Sequence, residues 1–306
     1  MFELKGKAGA VAGLISKMTA RESGGSALFS PLIAEVNIKK KSIAWSWITS
    51  DHTAFTWGKA EKLKLTGKSG QYVIDAELVD WVNKLFGDDE EITIQHRGTT
   101  VHLKGDKYEA QLTPSDADAA RIEDASQLKV KDNLPVLGEM EWSEVKIKAS
   151  EINAILSPTT LVYGQKEIKV VRLTFNKKGS LALIGSMEAH ATGIARPLDA
   201  KVKKGFEIIL GSNFAEVMSV LSGSISLYGQ DIEHPIWILK EGDNLTVGYL
   251  VAQYDEVQAE REREEEEAEE EDDDESESEE GSEEAEEVEE ESEEDDDDDD
   301  LELGED

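Results

Sequence analysis

Asp51–His52 lies inside the stretch ITSDHTAFTW, Ile48 to Trp57, and sets a carboxylate beside an imidazole between two apolar runs. Three chemistries use such a pair: an acid that orients a general base, two ligands of a metal, or a polar edge that docks a partner. A catalytic dyad needs a nucleophile and an oxyanion-stabilising site. The chain has no cysteine and no G-x-S-x-G stretch that would present an activated serine. A metal needs converging ligands. His96 and His102 are close enough to flank one turn, but His190 and His234 fall in unrelated segments without ligand spacing. Neither a P-loop nor a Rossmann glycine pattern occurs. The expectation is a protein that is not an enzyme and holds no cofactor or metal.

The 306 residues are enough for two domains with a sizeable core. Without cysteines there are no disulfides, which fits a reducing compartment. The opening MFEL has the pattern of a strand rather than a signal peptide, and no apolar run nears the roughly 20 residues of a membrane span. A soluble intracellular protein is expected, in cytoplasm or nucleoid, or in a host cell if the source is viral.

The net charge of −36 is unevenly placed. Residues 255–306 hold 36 acidic side chains against Arg261 and Arg263, while residues 1–254 hold 32 acidic and 30 basic ones. A nearly neutral body thus carries a polyanionic tail. The tail has too little apolar surface to offset chain entropy, which predicts disorder. Two roles stay open for it: a solubilising segment, or a lure for basic partners that mimics DNA. Ser276, Ser278, Ser282 and Ser292 sit among acids as candidate phosphorylation sites.

The elements that must position Asp51–His52 are mostly strands. Phe2 to Lys5 reads as a strand, and Lys7 to Arg21 as a helix with Val11, Leu14, Ile15 and Met18 on one stripe. Alternating runs follow at Leu32 to Ile38, Ser42 to Ile48, Thr53 to Trp57 and Glu61 to Thr66. DAELVDWVNKLFG, Asp75 to Gly87, is a second helix, with Leu78, Val82 and Leu85 on one face and Gly87 as its stop. EEITIQHRG and TTVHLKGDKYEAQL are strands, and Thr113 to Leu134 is a polar connector without periodicity. Then the pattern returns. EVKIKASEINAILSP repeats the opening strand and helix, and GSNFAEVMSVLSG matches DAELVDWVNKLFG in residue type at an offset of 136. Gly105–Asp106 and Gly242–Asp243, an offset of 137, occupy equivalent turns. Two agreeing offsets indicate internal duplication. The fold class is α+β, with helices on one face of antiparallel sheets. The expected divisions are 1–113, a connector at 114–138, 139–254, and the tail at 255–306.

Such a duplicated unit resembles the DNA sliding clamps, namely proliferating cell nuclear antigen and its archaeal and viral relatives. MFELKGKAGAVAGLISKM, SIAWSWITSDHTAFT, DNLPVLGEMEW and DIEHPIWILKEGDNLTVGYLVAQ carry the resemblance by order and spacing, over about residues 1–254. The resemblance implies two-domain subunits closed head to tail into a homotrimeric ring around duplex DNA, helices lining the hole and sheets forming the outer wall. It implies DNA polymerase and other clients tethered by a short motif, and a clamp loader. Tethering turns dissociation into rebinding at high effective concentration. By matched position, the client pocket would be formed by Ile48, His52 and Thr53, by Leu134 and Val136 of the connector, and by Pro235, Tyr249, Leu250 and Ala252. The DNA-facing cations would be Lys7, Lys17, Arg21 and Lys84. On this resemblance Asp51–His52 is a docking edge.

Three departures stand out. The helices of the second half hold no base after Lys148, although Lys201, Lys203 and Lys204 precede the last one. Val251-Ala252-Gln253 lacks the family's final proline. The run Lys39 to Lys41 reads as a turn between strands. The uneven helix charge favours one alternative, a clamp-like paralogue acting in a hetero-oligomer. A second alternative is a histone-chaperone-like binder of basic proteins acting through the tail.

Overall fold

The computed structural model describes residues 1–21, 25, 27–118, 120–162, 169–186, 194–210 and 212–253. The acidic tail with its four serines and His190 lie outside the described residues.

The first half runs β1 (Phe2–Lys7), α1 (Ala8–Thr19), β2 (Leu32–Asn37), β3 (Ser42–Ile48), β4 (Ala54–Ala60), β5 (Lys64–Gly67), β6 (Gly70–Ile74), α2 (Glu77–Leu85), β7 (Glu91–Arg97), β8 (Thr100–Lys104) and β9 (Glu109–Leu112). Next come α3 (Ala120–Gln127) and a hairpin of β10 (Val130–Lys131) and β11 (Leu134–Pro135). The opening series then recurs as β12 (Ser143–Lys148), α4 (Ala149–Val162), β13 (Lys169–Phe175), β14 (Ser180–Ser186), β15 (Ile194–Leu198), β16 (Ala200–Val202), β17 (Phe206–Leu210), α5 (Ser212–Ser219), β18 (Ser224–Gly229), β19 (Ile236–Glu241) and β20 (Leu245–Val251). The pairing repeats too. β1 lies between β5 and β7 as β12 lies between β16 and β18, and β2 lies between β3 and β6 as β13 lies between β14 and β17. All these pairs are antiparallel.

Local sequence explains the helices. In α1 the stripe Val11, Leu14, Ile15 and Met18 is buried. The helix ends at Ala20, whose left-handed backbone, φ 49°, turns the Arg21 N–H back to the Ser16 carbonyl at 3.1 Å. In α2 the apolar side is Leu78, Val79 and Val82, and Glu77 and Asp80 sit in the first turn where the helix dipole favours carboxylates. Asp75 Oδ1 accepts the Glu77 N–H at 3.0 Å and so satisfies one free donor of that terminus.

A nine-stranded sheet, ordered β16-β12-β18-β19-β20-β4-β3-β2-β6, spans both halves. Its centre is the β20–β4 joint, paired continuously from Leu245–Ala60 to Val251–Ala54. A five-stranded sheet, β5-β1-β7-β8-β9, and a four-stranded one, β15-β14-β13-β17, complete the halves. The main core gathers α1, α2, α4 and α5 with Trp45, Trp47, Val247 and Tyr249 from one face of the large sheet.

Several expectations change. The 113–134 stretch holds a helix, α3, whose Ala125 packs on the opposite face of the sheet with Ile48 and Phe55. Eight residues are too few for a helix to persist alone, so this packing supplies what the sequence pattern lacks. The run Glu61 to Thr66 starts as a strand only at Lys64, and β6 was not anticipated. TTVHLKGDKYEAQL splits into β8 and β9 around a turn closed by Gly105 N–H to Tyr108 O, 3.0 Å.

Candidate functional site

Register builds the site. On the face of the large sheet away from α1, one rung crosses five strands: Ile48 pairs with Phe55, Phe55 with Leu250, Leu250 with Trp237, and Trp237 with Tyr228. The neighbouring rung is Ser46, Trp57, Gly248, Leu239 and Ser226. Together they form an apolar strip separate from the main core. Gly248 gives the Trp237 indole its place: a Cβ there would lie 1.9 Å from the ring.

The connector covers this strip. Ala125, Leu128, Val130, Leu134, Leu137 and Trp142 pack on it. Trp237 Nε1 donates to the Asn133 carbonyl at 2.9 Å, and Trp142 Nε1 to the Pro135 carbonyl at 3.2 Å. Asn133 Nδ2 reaches Glu241 at 2.8 Å. One apolar side chain of the connector, Val136, stands 53% exposed, and Ile232 in the β18–β19 loop 49% exposed.

Asp51 and His52 occupy the β3–β4 turn at one end of the strip, and they do not bond each other. Asp51 Oδ1 accepts the Thr53 N–H at 3.0 Å. Partial desolvation raises the Asp51 pKa, but hydrogen bonds from Thr49 and Thr53 outweigh it and leave the carboxyl below its ordinary range. His52 takes a left-handed backbone, φ 59°, which turns its exposed ring toward α3, with Nε2 3.3 Å from Asp124. Thr53 Oγ1 accepts from Asn213 at 2.8 Å, and Thr53 O accepts the Ala252 N–H at 2.8 Å. Beside this turn is a polar cavity of about 370 Å³ lined by Thr49, Ser50, Asp51, Arg121, Asn213 and Glu216 among others. Among the described residues no three His, Asp or Glu side chains converge as metal ligands would.

Of the residues expected in a pocket, the structure brings Ile48, Leu134 and Leu250 together in the strip. It sets His52, Thr53 and Ala252 at its rim, with Val136 and Pro235 on the flanking segments. Tyr249 is on the other face. Side chains alternate along a strand, so the neighbour of Leu250 points into the main core. There Tyr249 is fully buried, its hydroxyl donates to the Lys17 carbonyl, and burial pushes its pKa far up. Sequence reasoning missed Phe55, Trp57, Trp237 and Leu239. The signal was available: Ile236 to Leu239 is apolar at every position, the mark of a strand covered on both faces. Gln253, standing where the family resemblance would put proline, anchors the end of β20. Its Nε2 donates to the carbonyls of Asp231 and His234, and its Oε1 accepts the Ile209 N–H at 2.8 Å.

The body overlays on solved clamp structures. The proliferating cell nuclear antigen of Entamoeba histolytica aligns with a TM-score of 0.62 at 10% identity, over 83% of this chain and 99% of that one. That of A. fulgidus, solved with the C-terminal region of FEN-1 bound, gives 0.60 at 12% over 84% and 99%. The fold is that of a sliding clamp. The DNA polymerase sliding clamp of Bacillus subtilis also matches this clamp fold, at TM-score 0.60 and 14% identity, over 83% of this chain and 64% of that chain. No family model matches the sequence, and no curated protein does.

The four cations expected to face DNA sit on or beside α1 and α2. Lys7 is paired with Asp89 at 2.8 Å, and Arg21 with Asp80. Lys17 Nζ donates to Gly13 O at 3.1 Å, and burial, then the Lys240 ammonium, hold its pKa below the lysine range. Lys84 is exposed, its ammonium 5.6 Å from the centre of the Trp81 ring. Among the described residues no helix is long and apolar enough to cross a membrane.

Proposed function

We propose that this chain is a DNA sliding-clamp subunit, a processivity factor that closes into a homotrimeric ring around duplex DNA. The observation that carries the reading is the β20–β4 joint together with its counterparts. In the repeated topology β9 corresponds to β20 and β15 to β4, and both are edge strands among the described residues. Pairing β9 of one copy with β15 of the next would reproduce the internal joint. Such a heterologous contact generates a ring wherever its rotation closes. The helices α1, α2, α4 and α5 would then line the hole.

Client proteins, DNA polymerase among them, would dock at the apolar strip, entering by the rim where Val136 and Ile232 stand exposed. The peptide bound to the A. fulgidus protein supports this class of partner. His52, Thr53, Pro235 and Ala252 would form the polar and backbone edge of that site, and a clamp loader would be the further partner that places the ring on DNA.

The test is the molar mass of the full chain by light scattering. A mass near 101 kDa, three times 33.7 kDa, is expected. A monomer at every accessible concentration would sink the homotrimer. The sparse helix charge keeps a second reading, a subunit of a hetero-oligomeric clamp, for which that monomer is the expected result.

A further inference from the structure

The apolar strip is closed. Phe55, Trp237 and Leu239 are 1%, 0% and 3% exposed, and the connector packs over them. A peptide that docks on apolar side chains needs those side chains uncovered. A client of the strip must therefore displace part of the cover. The cover has two parts, and they are held differently. The first, α3, is fixed from several sides. Its Ala125 is buried against the strip, and Ile122 packs against the main core. Ser46 Oγ donates to the Ala125 carbonyl at 3.4 Å, and His52 Nε2 lies 3.3 Å from Asp124.

The second part, the β10–β11 hairpin, is built to move as a piece. It pairs Val130 with Pro135 and Lys131 with Leu134. Asp132 and Asn133 close it with left-handed backbones, φ 52° and 63°, the pattern of a tight two-residue hairpin turn. Val136 N–H donates to Lys129 O at 2.8 Å, and Trp142 Nε1 to Pro135 O at 3.2 Å. These bonds are internal and travel with the hairpin. Its turn is tied to the sheet by Trp237 Nε1 to Asn133 O, 2.9 Å, and by Asn133 Nδ2 to Glu241, 2.8 Å. On the strip itself Val130 and Leu134 are only partly buried. Gly138 follows with φ 52°, a backbone that glycine adopts without strain and that suits a hinge. Beyond it the chain is fixed again, where Glu141 N–H donates to the Gln230 side chain at 2.9 Å.

We infer that the β10–β11 hairpin is a removable plug in the client site, and that a client binds by taking its place while α3 stays as a wall. The inference rests on the reading that clients dock at the strip. It specifies the partner as an extended apolar peptide segment. The peptide's side chains replace Val130 and Leu134 on the strip. One of its carbonyls replaces that of Asn133 at the Trp237 indole, because a buried N–H left without an acceptor opposes binding. Val136 follows β11 directly and is exposed, so a client that meets the rim meets the edge of the plug. Only chains with the plug lifted bind, so the apparent dissociation constant is the intrinsic one divided by the lifted fraction. Loosening the plug therefore tightens binding, the reverse of what damage to a pocket wall does.

The experiment is calorimetric titration of the full chain with a synthetic peptide of the FEN-1 C-terminal region as the probe. Hydrogen exchange across residues 129–142 is followed on the same samples. Leu134→Ser removes the apolar side chain of the plug. Asn133→Gly keeps the left-handed turn and deletes the bond to Glu241. Both variants should keep the main melting transition and bind the peptide more tightly, Leu134→Ser by about tenfold. In the parent chain the peptide should accelerate exchange across 129–142 as the hairpin lifts. Equal or weaker binding by Leu134→Ser, or exchange that slows or stays the same when the peptide binds, means that the peptide seats on the closed cover. That result overturns the plug and spares the client site. No binding by the parent or by either variant sinks the docking reading itself, and the plug with it.

Discussion

His96 shows how one buried side chain sets a pH limit. It is 3% exposed, stacks on Phe2 at 4.7 Å, and its Nε2 has no hydrogen-bond partner among the described residues. Burial, then the nearby N-terminal ammonium, lower its pKa from 6.5 to about 4. The unfolded chain therefore takes up a proton on this residue that the folded chain refuses. Stability is complete above pH 6.5 and falls as the pH drops toward 4, by up to ~3 kcal/mol. His96→Phe should flatten that part of the curve of unfolding free energy against pH; an unaltered acid limb would remove His96 as its cause. Trp237 and Gly248 form the second residue-scale test. Gly248→Ala drives a methyl into the indole and should destabilise by ~2 kcal/mol or more, with part of the loss recovered in combination with Trp237→Leu. Additive losses in that double-mutant cycle would mean the contact is not the cause. The residue scale is also where the sequence was least legible. Of the positions that the resemblance names, Ile48 and Leu250 fall on the apolar strip, whereas Tyr249, the neighbour of Leu250, faces the main core, because consecutive residues of a strand alternate between its faces.

At the scale of elements, periodicity located both long helices of the first half to within two residues of the observed ends, because each has an uninterrupted buried stripe. It failed on α3. Ile122, Ala125 and Leu128 follow helical spacing, but they are three residues in a run of acids and polar groups, and their partner strand, β3, lies far away in the chain. An element held by a distant surface leaves little trace in its own sequence. Breaking that contact tests the account. Ala125→Glu sets a charge against Ile48 and Phe55, and it should free α3 without unfolding the sheets. Proteolysis within 113–134 should accelerate at least tenfold while the main melting transition stays in place. Unchanged cutting would show that other contacts hold the connector. On the proposed docking of clients at the strip, the same variant should also weaken the binding of client peptides.

At the scale of the whole molecule, the duplication was readable because two helices and two turns kept their types at offsets of 136 and 137. What duplication left hidden was the joint. Nothing in β20 or β4 says that they pair, and only the assembled sheet shows β9 and β15 as their counterparts at sheet edges among the described residues. Consecutive residues of a strand aim their N–H groups to opposite sides, so of Ala110→Pro and Gln111→Pro one removes a donor from the open edge of β9. That variant should lower the mass from trimer to monomer at an unchanged melting temperature, whereas its neighbour should lose stability. A trimer in both variants would rule out the β9–β15 seam. Residues 1–254 form a compact unit by themselves. On the proposed clamp function, deleting 255–306 should preserve or improve polymerase stimulation; its loss would return the tail to the centre of the function.

The lengths of the joints carry a mechanical consequence. Within the chain, β20 and β4 are zipped along seven residue pairs, whereas β9 has four residues and β15 five. In a belt of such copies the long zips and the short ones alternate. Strain applied anywhere along the belt would collect at the short zips, so the belt yields between molecules before any molecule yields within itself. Such a belt unbuckles and fastens again with every chain still folded.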